Sequence, residues 1–369
     1  MTMTSSTPPI TQDDSAATPA TPKNTMRGLI KHHAGPELRM VEDRPIPEPG
    51  PGEIRIKVKL AGICGTDRHI WEWDEWSANR IPPGIITGHE FVGVVDKVGT
   101  GVTKFSPGRR VSAEGHMSRG LDYNSRTGNA HIATDTKIFG IDCDGCFAEY
   151  IVVPEINVWP VHPDIEDKYA AAFDPLGNAV HTVMEAGVSA KTVLISGVGI
   201  IGLMAVTVAK AAGAAKIYCT DINPPRLELA KKLGAADAFD ARDGSWVEKV
   251  RKETHQGVDV LLEMSGAPAA MDQGFRALRN GGTAALLGLP ARTVDFDFNA
   301  HIIFKGCKVL GINGRRMWET WYQMEQLLLS GRLELDEIIT HEFPMSEYQE
   351  AFRTMMSGEG IKVLMNVGE

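Results

Sequence analysis

The stretch TVLISGVGIIGLMAVTVA, residues 192–209, decides how the middle of the chain folds. It is nearly long enough for a membrane span, but its three glycines and its repeated β-branched residues argue against one. A strand, a tight turn and a helix explain it better, because TVLISG is strand-like, Gly197, Gly199 and Gly202 have GxGxxG spacing, and LMAVTVAKAAGA is helical in composition. The stretch therefore indicates the opening of a dinucleotide-binding fold.

The residues that follow strengthen this interpretation, since a lone GxGxxG is weak evidence. The next strand-like run, KIYCTD, ends in Asp221, about twenty residues after the glycines. Gly197 would allow the tight turn, Gly199 would let the backbone approach a pyrophosphate, and Gly202 would let the helix pack closely on the strand. Asp221 would accept hydrogen bonds from the adenosine ribose, which favours NAD over NADP.

Three more residues complete the predicted cofactor site. Ile200 and Ile201 lie within the turn, and Arg226 follows Asp221 by five residues, where it could cover the adenine or meet a phosphate. The alternative is a glycine-rich turn in an ordinary α/β core.

The predicted secondary structure differs between the part of the chain that contains this stretch and the part that precedes it. Residues 180–317 alternate strands with helices, including a predicted helix over 269–282, which predicts a Rossmann-type, doubly wound parallel sheet with right-handed crossovers. Residues 26–155 are rich in Gly and Pro with short strand-like pieces, which predicts an antiparallel, barrel-like fold. We expect an α/β protein with a catalytic domain over 26–179 and 318–369 and a dinucleotide-binding domain over 180–317.

Composition limits the partners and the compartment. A formal charge of −9 with no run of Lys or Arg argues against nucleic acid or an anionic membrane and favours a small-molecule substrate. Five scattered cysteines do not suit a disulfide framework, which indicates a reducing, cytoplasmic location. Residues 1–25 lack the apolar core of a secretory signal and are predicted to be a disordered tail.

A possible metal site lies outside the glycine turn. Cys64 stands in AGICGTDRHI, His89 and Glu90 stand in GHEFVGVV, and Asp174 stands in AAFDPLGNAVHTV. Zinc takes sulfur, nitrogen and oxygen ligands and keeps one position open in catalytic sites. Each residue alone could also have a purely structural role. The cysteine could be a small buried apolar residue, and the histidine could be a polar group whose hydrogen bonds are satisfied within the protein.

Taken together, these motifs resemble a known family. GICGTDRHI, GHEFVGVV, GCFAEY, FDPLGNAVHT and the GxGxxG turn stand in the order found in the zinc-dependent alcohol dehydrogenases of the medium-chain superfamily, over essentially all of 26–369. Within it, HIWEWDEW, EGH, LEMSGAP, FKG and GRRMWETWYQM are most similar to members that oxidise the secondary hydroxyl of L-threonine. The resemblance implies a GroES-like catalytic domain, NAD as cofactor and a homo-oligomer, with a tetramer favoured.

The resemblance also implies site residues. Cys64, His89 and Asp174 would bind one catalytic zinc, with Glu90 as a fourth or exchangeable ligand and a catalytic residue. Thr66 and His69 would form a proton relay, although a surface imidazole is the alternative for His69.

Two further residues are implied candidates for recognising the substrate's ammonium and carboxylate. They are His116 and Glu114, in the stretch AEGH, and the stretch WEWDEW, residues 71–76, is implied as a further candidate.

One segment departs from the family. Where relatives carry four cysteines that hold a structural zinc, this chain has Arg119, Asp122, Ser125 and Ala133, so we expect no structural zinc. Cys143 and Cys146 form one CxxC pair, which is more often incidental without a second pair. The missing cysteines lend weight to a polyol or diol dehydrogenase as the alternative function, and a non-catalytic dinucleotide-binding relative is a more distant one.

Overall fold

The computed structural model of the protein describes residues 24–368. The strands in this range are β1 (Thr25–Ile30), β2 (Arg39–Pro45), β3 (Glu53–Gly62), β4 (Glu90–Val98), β5 (Arg110–Ala113), β6 (His116–Met117), β7 (Lys137–Ile138), β8 (Tyr150–Pro154), β9 (Val158–Pro160), β10 (Thr192–Ser196), β11 (Lys216–Asp221), β12 (Asp237–Asp240), β13 (Val258–Glu263), β14 (Leu278–Leu286), β15 (Lys308–Gly311), β16 (Ile339–Pro344) and β17 (Lys362–Asn366). The helices are α1 (Gly65–Glu72), α2 (Glu75–Arg80), α3 (Tyr123–Arg126), α4 (Asp167–Ala170), α5 (Phe173–Ala186), α6 (Ile200–Ala211), α7 (Pro224–Leu233), α8 (Trp246–Glu253), α9 (Pro268–Ala277), α10 (Glu319–Leu329) and α11 (Tyr348–Ser357).

A six-stranded parallel sheet has the order β12-β11-β10-β13-β14-β15. The chain enters at β10 in the middle, builds outward to β12, and then crosses to β13 on the other side. The reversal places a crevice at the carboxyl ends of β10 and β13, where ligands bind in sheets of this kind. The glycine turn follows β10 directly and therefore lies at this crevice, and the predicted α/β fold class is confirmed.

One predicted element is wrong in extent. The helix predicted over 269–282 ends at Ala277, and Leu278 begins β14. Leu278 is fully buried and pairs with Val258 of β13, next to an irregularity in the register of the two strands. Packing against the sheet therefore overrides the local helical pattern.

The second large sheet is mostly antiparallel, with the order β16-β17-β3-β4-β5-β9 and with β8 also paired to β3. Strand β3 alternates buried and more exposed residues along most of its length, as expected for a strand with one face on a core. Strand β17, from the end of the chain, pairs with both β16 and β3. The C-terminal segment thus completes the sheet that the first third of the chain begins.

The ends of the described range bear on two predictions. Strand β1 begins at Thr25, which the sequence assigns to the predicted disordered tail, and the tail otherwise falls almost wholly on residues 1–23, which lie outside the described residues. Within residues 24–368, no helix is both long enough and apolar enough to cross a membrane.

Candidate active site

The register of two strands brings together three candidate metal ligands. Cys64 follows β3 and caps α1, and its backbone N–H donates to Asp67 Oδ2 at 2.9 Å. Glu90 begins β4 and pairs with Gly62 at the end of β3, so that His89 and Glu90 lie beside Cys64. The Cys64 sulfur, a His89 ring nitrogen and a Glu90 carboxylate oxygen all lie within 4.8 Å of one another. Sulfur, nitrogen and oxygen at this spacing form a donor set that suits zinc.

The charges and unused polar atoms of this group fit a cation. Burial opposes protonation of His89, but the negative charges of Cys64, Asp67 and Asp174 outweigh it and raise the pKa of His89 to about 10. Among residues 24–368, neither His89 Nδ1 nor Glu90 Oε1 has a hydrogen-bond partner, although both atoms are buried. A bound cation would displace the proton and satisfy a site that is otherwise incomplete.

Asp174, the third predicted ligand, does not lie in the group of three. Its Oδ2 is 2.6 Å from the Arg315 guanidinium, in an ion pair that leaves the Asp174 side chain 14% exposed and the arginine 3% exposed. Its charge still acts on the site, since it contributes to the raised pKa of both His89 and Glu90. As the side chains stand, Asp174 faces Arg315 rather than completing the ligand set.

The same arginine connects Asp174 to the EGH motif. Arg315 donates to both oxygens of Glu114, at 2.9 and 2.6 Å, and Trp321 Nε1 donates to Oε2 at 2.8 Å. Burial opposes ionisation of Glu114, but the charge of Arg315 and the bond from His116 outweigh it, so the pKa of Glu114 lies well below its ordinary value. An ionised Glu114 accepts from His116 Nδ1 at 2.7 Å, which leaves the other ring nitrogen of His116 available.

The predicted proton relay lies on α1. Thr66 Oγ1 is 3.7 Å from the Cys64 sulfur, and His69 follows one helical turn later on the same face. His69 Nδ1 lies 2.6 Å from Asp74 Oδ2, and the histidine side chain is 56% exposed. The series therefore leads from the ligand group to the surface, with Asp74 fixing the orientation of the outer imidazole.

The glycine turn has the shape of a cofactor cradle. A Cβ added at Gly202 would lie 2.1 Å from the Gly197 carbonyl oxygen, so only glycine permits this approach of α6 to the turn. A Cβ at Gly199 would meet no atom within 4 Å, so the space over this residue is open to a ligand. Ile200 and Ile201 begin α6 and pack against the hydrophobic core.

Asp221 ends β11, and Arg226 lies in the first turn of α7. Asp221 accepts from the backbone N–H of Val198 at 2.8 Å and so ties the glycine turn to the second strand of the sheet. Arg226 Nε is buried and has no hydrogen-bond partner within residues 24–368. Asp221 Oδ1 already accepts from the backbone N–H groups of Ile222 and Asn223, at 2.8 and 2.9 Å. The polar capacity that remains for a cofactor is therefore on Asp221 Oδ2 and Arg226 Nε.

Polar contacts occupy the segment that lacks the family's cysteines. Ser118 Oγ donates to Asp135 Oδ1 at 2.8 Å, and Arg119 Nε donates to Asp135 Oδ2 at 2.8 Å. Asp122 accepts from the backbone N–H of Ser125 at 2.9 Å and of Thr134 at 3.0 Å. Hydrogen bonds, rather than large apolar side chains, thus hold this segment together.

Sequence reasoning missed Arg315 and Lys362. Arg315 follows β15 in GRRM, and Lys362 begins β17 just before the apolar residues 363–365, where its ammonium forms a fully buried ion pair with Glu90. A lone lysine just before an apolar run was the available signal, because a lysine is rarely fully buried without a partner. Arg315 offered no comparable signal.

Comparison with known proteins agrees with this geometry. Residues 50–163 match the model of the alcohol dehydrogenase GroES-like domain, and residues 201–330 match that of the zinc-binding dehydrogenases. The chain is 46% identical to an L-threonine 3-dehydrogenase of Chromobacterium violaceum, with 92% of this chain and 99% of the relative covered. It is 48% identical to an L-threonine 3-dehydrogenase of Pyrococcus abyssi, with 89% and 94% covered.

A solved structure shares the fold at lower identity. A zinc-binding dehydrogenase from Sinorhizobium meliloti, bound to NADP, superposes with a TM-score of 0.84 at 29% identity, with 93% of this chain and 99% of that chain covered. At these identities and coverages, the chain belongs to the zinc-dependent medium-chain dehydrogenase family and, within it, to the L-threonine 3-dehydrogenases.

Proposed function

We propose that the chain oxidises the secondary hydroxyl of L-threonine to 2-amino-3-oxobutanoate, with NAD as hydride acceptor and release of one proton. The observation that carries the proposal is the group formed by Cys64, His89 and Glu90, whose ligand atoms lie within 4.8 Å of one another. A relative of this family at 46% identity, covered over 99% of its length, supports the choice of substrate.

The cofactors have separate places in the fold. Cys64, His89 and Glu90 would hold the zinc, with Asp174 as a further ligand if its carboxylate turns from Arg315. The glycine turn and Asp221 would hold NAD. When bound, zinc would lower the pKa of the substrate hydroxyl, and NAD would accept the hydride from the carbinol carbon.

The chain's own residues would remove the proton. Thr66 Oγ1 would accept it from the substrate hydroxyl and pass it toward His69, whose exposed ring can release it to water. The contact between His69 Nδ1 and Asp74 Oδ2 holds the ring in one orientation.

His116 would bind the charged end of the substrate. Glu114 is fully buried and is already engaged by Arg315 and Trp321, whereas the His116 side chain is 12% exposed. Glu114 and Arg315 therefore fix the orientation of the His116 ring. Of Glu114, Arg315 and His116, only His116 presents a free nitrogen to a ligand.

We also propose the domain organisation that the sequence predicts. Residues 26–179 and 318–369 would form the catalytic domain and residues 180–317 the cofactor domain. The parallel strands extend from Thr192 to Gly311, which supports these limits. All five cysteines are free, which supports a reducing, cytoplasmic location.

A homo-oligomer, with a tetramer favoured, is proposed on the exposed edge of the parallel sheet. Strand β15 is the last strand in the sheet order, so one side of its backbone is unpaired within that sheet. Val309, within β15, and Phe304, four residues before this strand, are 39% and 80% exposed. An unpaired edge beside large exposed apolar side chains favours pairing with a second copy, which light scattering of the purified enzyme would test.

The function is tested by following NADH formation with L-threonine, sorbitol and butane-2,3-diol. We expect threonine to have the highest kcat/KM, and a higher value for either polyol would refute the substrate assignment. Cys64→Ser should lose most activity and still bind NAD, because the thiolate serves the metal and the glycine turn serves the cofactor. Undiminished turnover of this variant after chelation would refute zinc catalysis.

A further inference from the structure

Lys362 contacts the candidate metal site from the far end of the chain. Its Nζ donates to Glu90 Oε2 and to the Ile63 carbonyl oxygen, the latter at 2.9 Å. Both members of the Lys362–Glu90 ion pair have fully buried side chains. Two charges are therefore enclosed beside the ligand group, out of contact with water.

The ion pair leaves the two oxygens of the Glu90 carboxylate in different environments. Lys362 holds Oε2, while Oε1 is buried and has no partner among residues 24–368. A carboxylate that shares its charge with an ammonium attracts a cation less strongly than a free one, and the ammonium itself repels the cation. Low local dielectric strengthens both effects.

We propose that Lys362 is a positioning residue that weakens the hold of Glu90 on the metal, so that Glu90 stays exchangeable and the substrate hydroxyl can take its place. The inference rests on the proposed zinc-dependent function. It assigns Lys362 a role in setting how strongly Glu90 binds the metal, in addition to its packing within β17.

The two roles predict opposite changes in zinc affinity. If Lys362 only supported Glu90, its loss would weaken zinc binding by about 10–100-fold, as loss of an ordinary supporting partner does. If Lys362 restrains Glu90, loss of its charge must tighten zinc binding, because Glu90 then interacts with the metal at full charge. Turnover should fall at the same time, since a tightly bound Glu90 blocks the open position.

The test is the zinc dissociation constant, measured by chelator competition, together with kcat for L-threonine. Lys362→Gln removes the charge and keeps an N–H donor, and we expect zinc to bind at least about tenfold more tightly while kcat falls. Lys362→Arg keeps the charge and should return the zinc dissociation constant to within about threefold of the unmodified enzyme. An unchanged or weaker zinc affinity in Lys362→Gln would overturn the inference.

Lys31 provides a matched control. It is the other fully buried lysine among residues 24–368, and its Nζ donates to the carbonyl oxygens of Ile70 and Glu37 at 2.6 and 3.0 Å. Lys31→Gln should leave the zinc dissociation constant unchanged. A tightening equal to that of Lys362→Gln would show that the effect is not specific to Glu90.

A second comparison of zinc affinities tests the inference even if Lys362→Gln does not fold. The double variant Glu90→Gln/Lys362→Gln contains no unpaired buried charge, and neutral replacement of a buried ion pair is commonly tolerated. We expect it to bind zinc more tightly than Glu90→Gln, where the lysine charge still repels the metal; equal or weaker binding overturns the inference. If the unmodified enzyme holds no zinc or fails to oxidise threonine, the proposed function fails first, which distinguishes the two failures.

Discussion

Arg315→Met should destabilise the protein strongly, because it removes the partner of a buried carboxylate. Arg315 is 3% exposed and Glu114 is 0% exposed, and the guanidinium donates two bonds to Glu114 and pairs with Asp174. Breaking a buried pair from one side costs about 3–5 kcal/mol. With an unfolding entropy of about 2.1 cal/mol/K per residue over 369 residues, this lowers Tm by about 4–6 °C.

The neighbouring arginine is the control. Arg316 is 37% exposed and pairs with Glu185 at 3.3 Å, so Arg316→Met should change stability by less than about 1 kcal/mol. The assay is thermal unfolding by calorimetry at equal protein and zinc concentrations. The double variant Glu114→Gln/Arg315→Met should recover much of the loss, since it leaves Glu114 neutral. Equal Tm shifts for the two single arginine variants would refute the reasoning.

The pH dependence adds a second check on the same pair. The pKa of Glu114 lies below its unfolded value of about 4.3, so its stabilising contribution is complete above that pH and is lost as the pH falls through the folded-state pKa. Without Arg315, the guanidinium charge no longer offsets the effect of burial on the pKa of Glu114, so the charged form should destabilise the fold. The Tm difference between Arg315→Met and the unmodified protein should therefore be larger at pH 8 than at pH 5.

Three further outcomes are expected. The enzyme should have a higher kcat/KM with NAD than with NADP because Asp221 repels a 2′-phosphate, and equal values with the two cofactors would contradict this assignment. His69→Gln should lower kcat by about tenfold and shift its pH profile, since water replaces a relay group only in part; an unchanged profile would make His69 a surface residue. Exhaustively dialysed protein should contain about one zinc per chain by metal analysis, and residues 117–142 should exchange amide hydrogens faster than β3 and β4; two tightly held zincs would show that the segment was misread.

The parallel sheet and its crevice could be predicted because their signals are local. The glycine turn, the strand before it and Asp221 lie within about thirty residues, and each has a backbone or charge requirement visible in its own neighbourhood. The end of α9 was misjudged because burial of Leu278 beside Val258 depends on the sheet and not on the adjacent residues. The local sequence pattern therefore predicts an element correctly where the element depends on neighbouring residues, and not where it depends on distant strands.

The Cys64, His89 and Glu90 group was named from residue types and family resemblance, and the pairing of β3 with β4 gives it a physical basis. Asp174 was named with them, yet its carboxylate pairs with Arg315, 141 residues later in the chain. Nothing near Asp174 in the sequence indicates such a partner, so its orientation could not have been predicted.

The sequence by itself determined the fold class, the cofactor turn and the kinds of ligand atoms available for a metal, because these depend on contiguous motifs. The tertiary structure alone decided how the charges pair: Arg315 meets Glu114 across 201 residues, and Lys362 meets Glu90 across 272. Buried charges need partners, but sequence does not show which distant residue supplies them. That choice follows from strand order, since β17 returns from the end of the chain to lie beside β3.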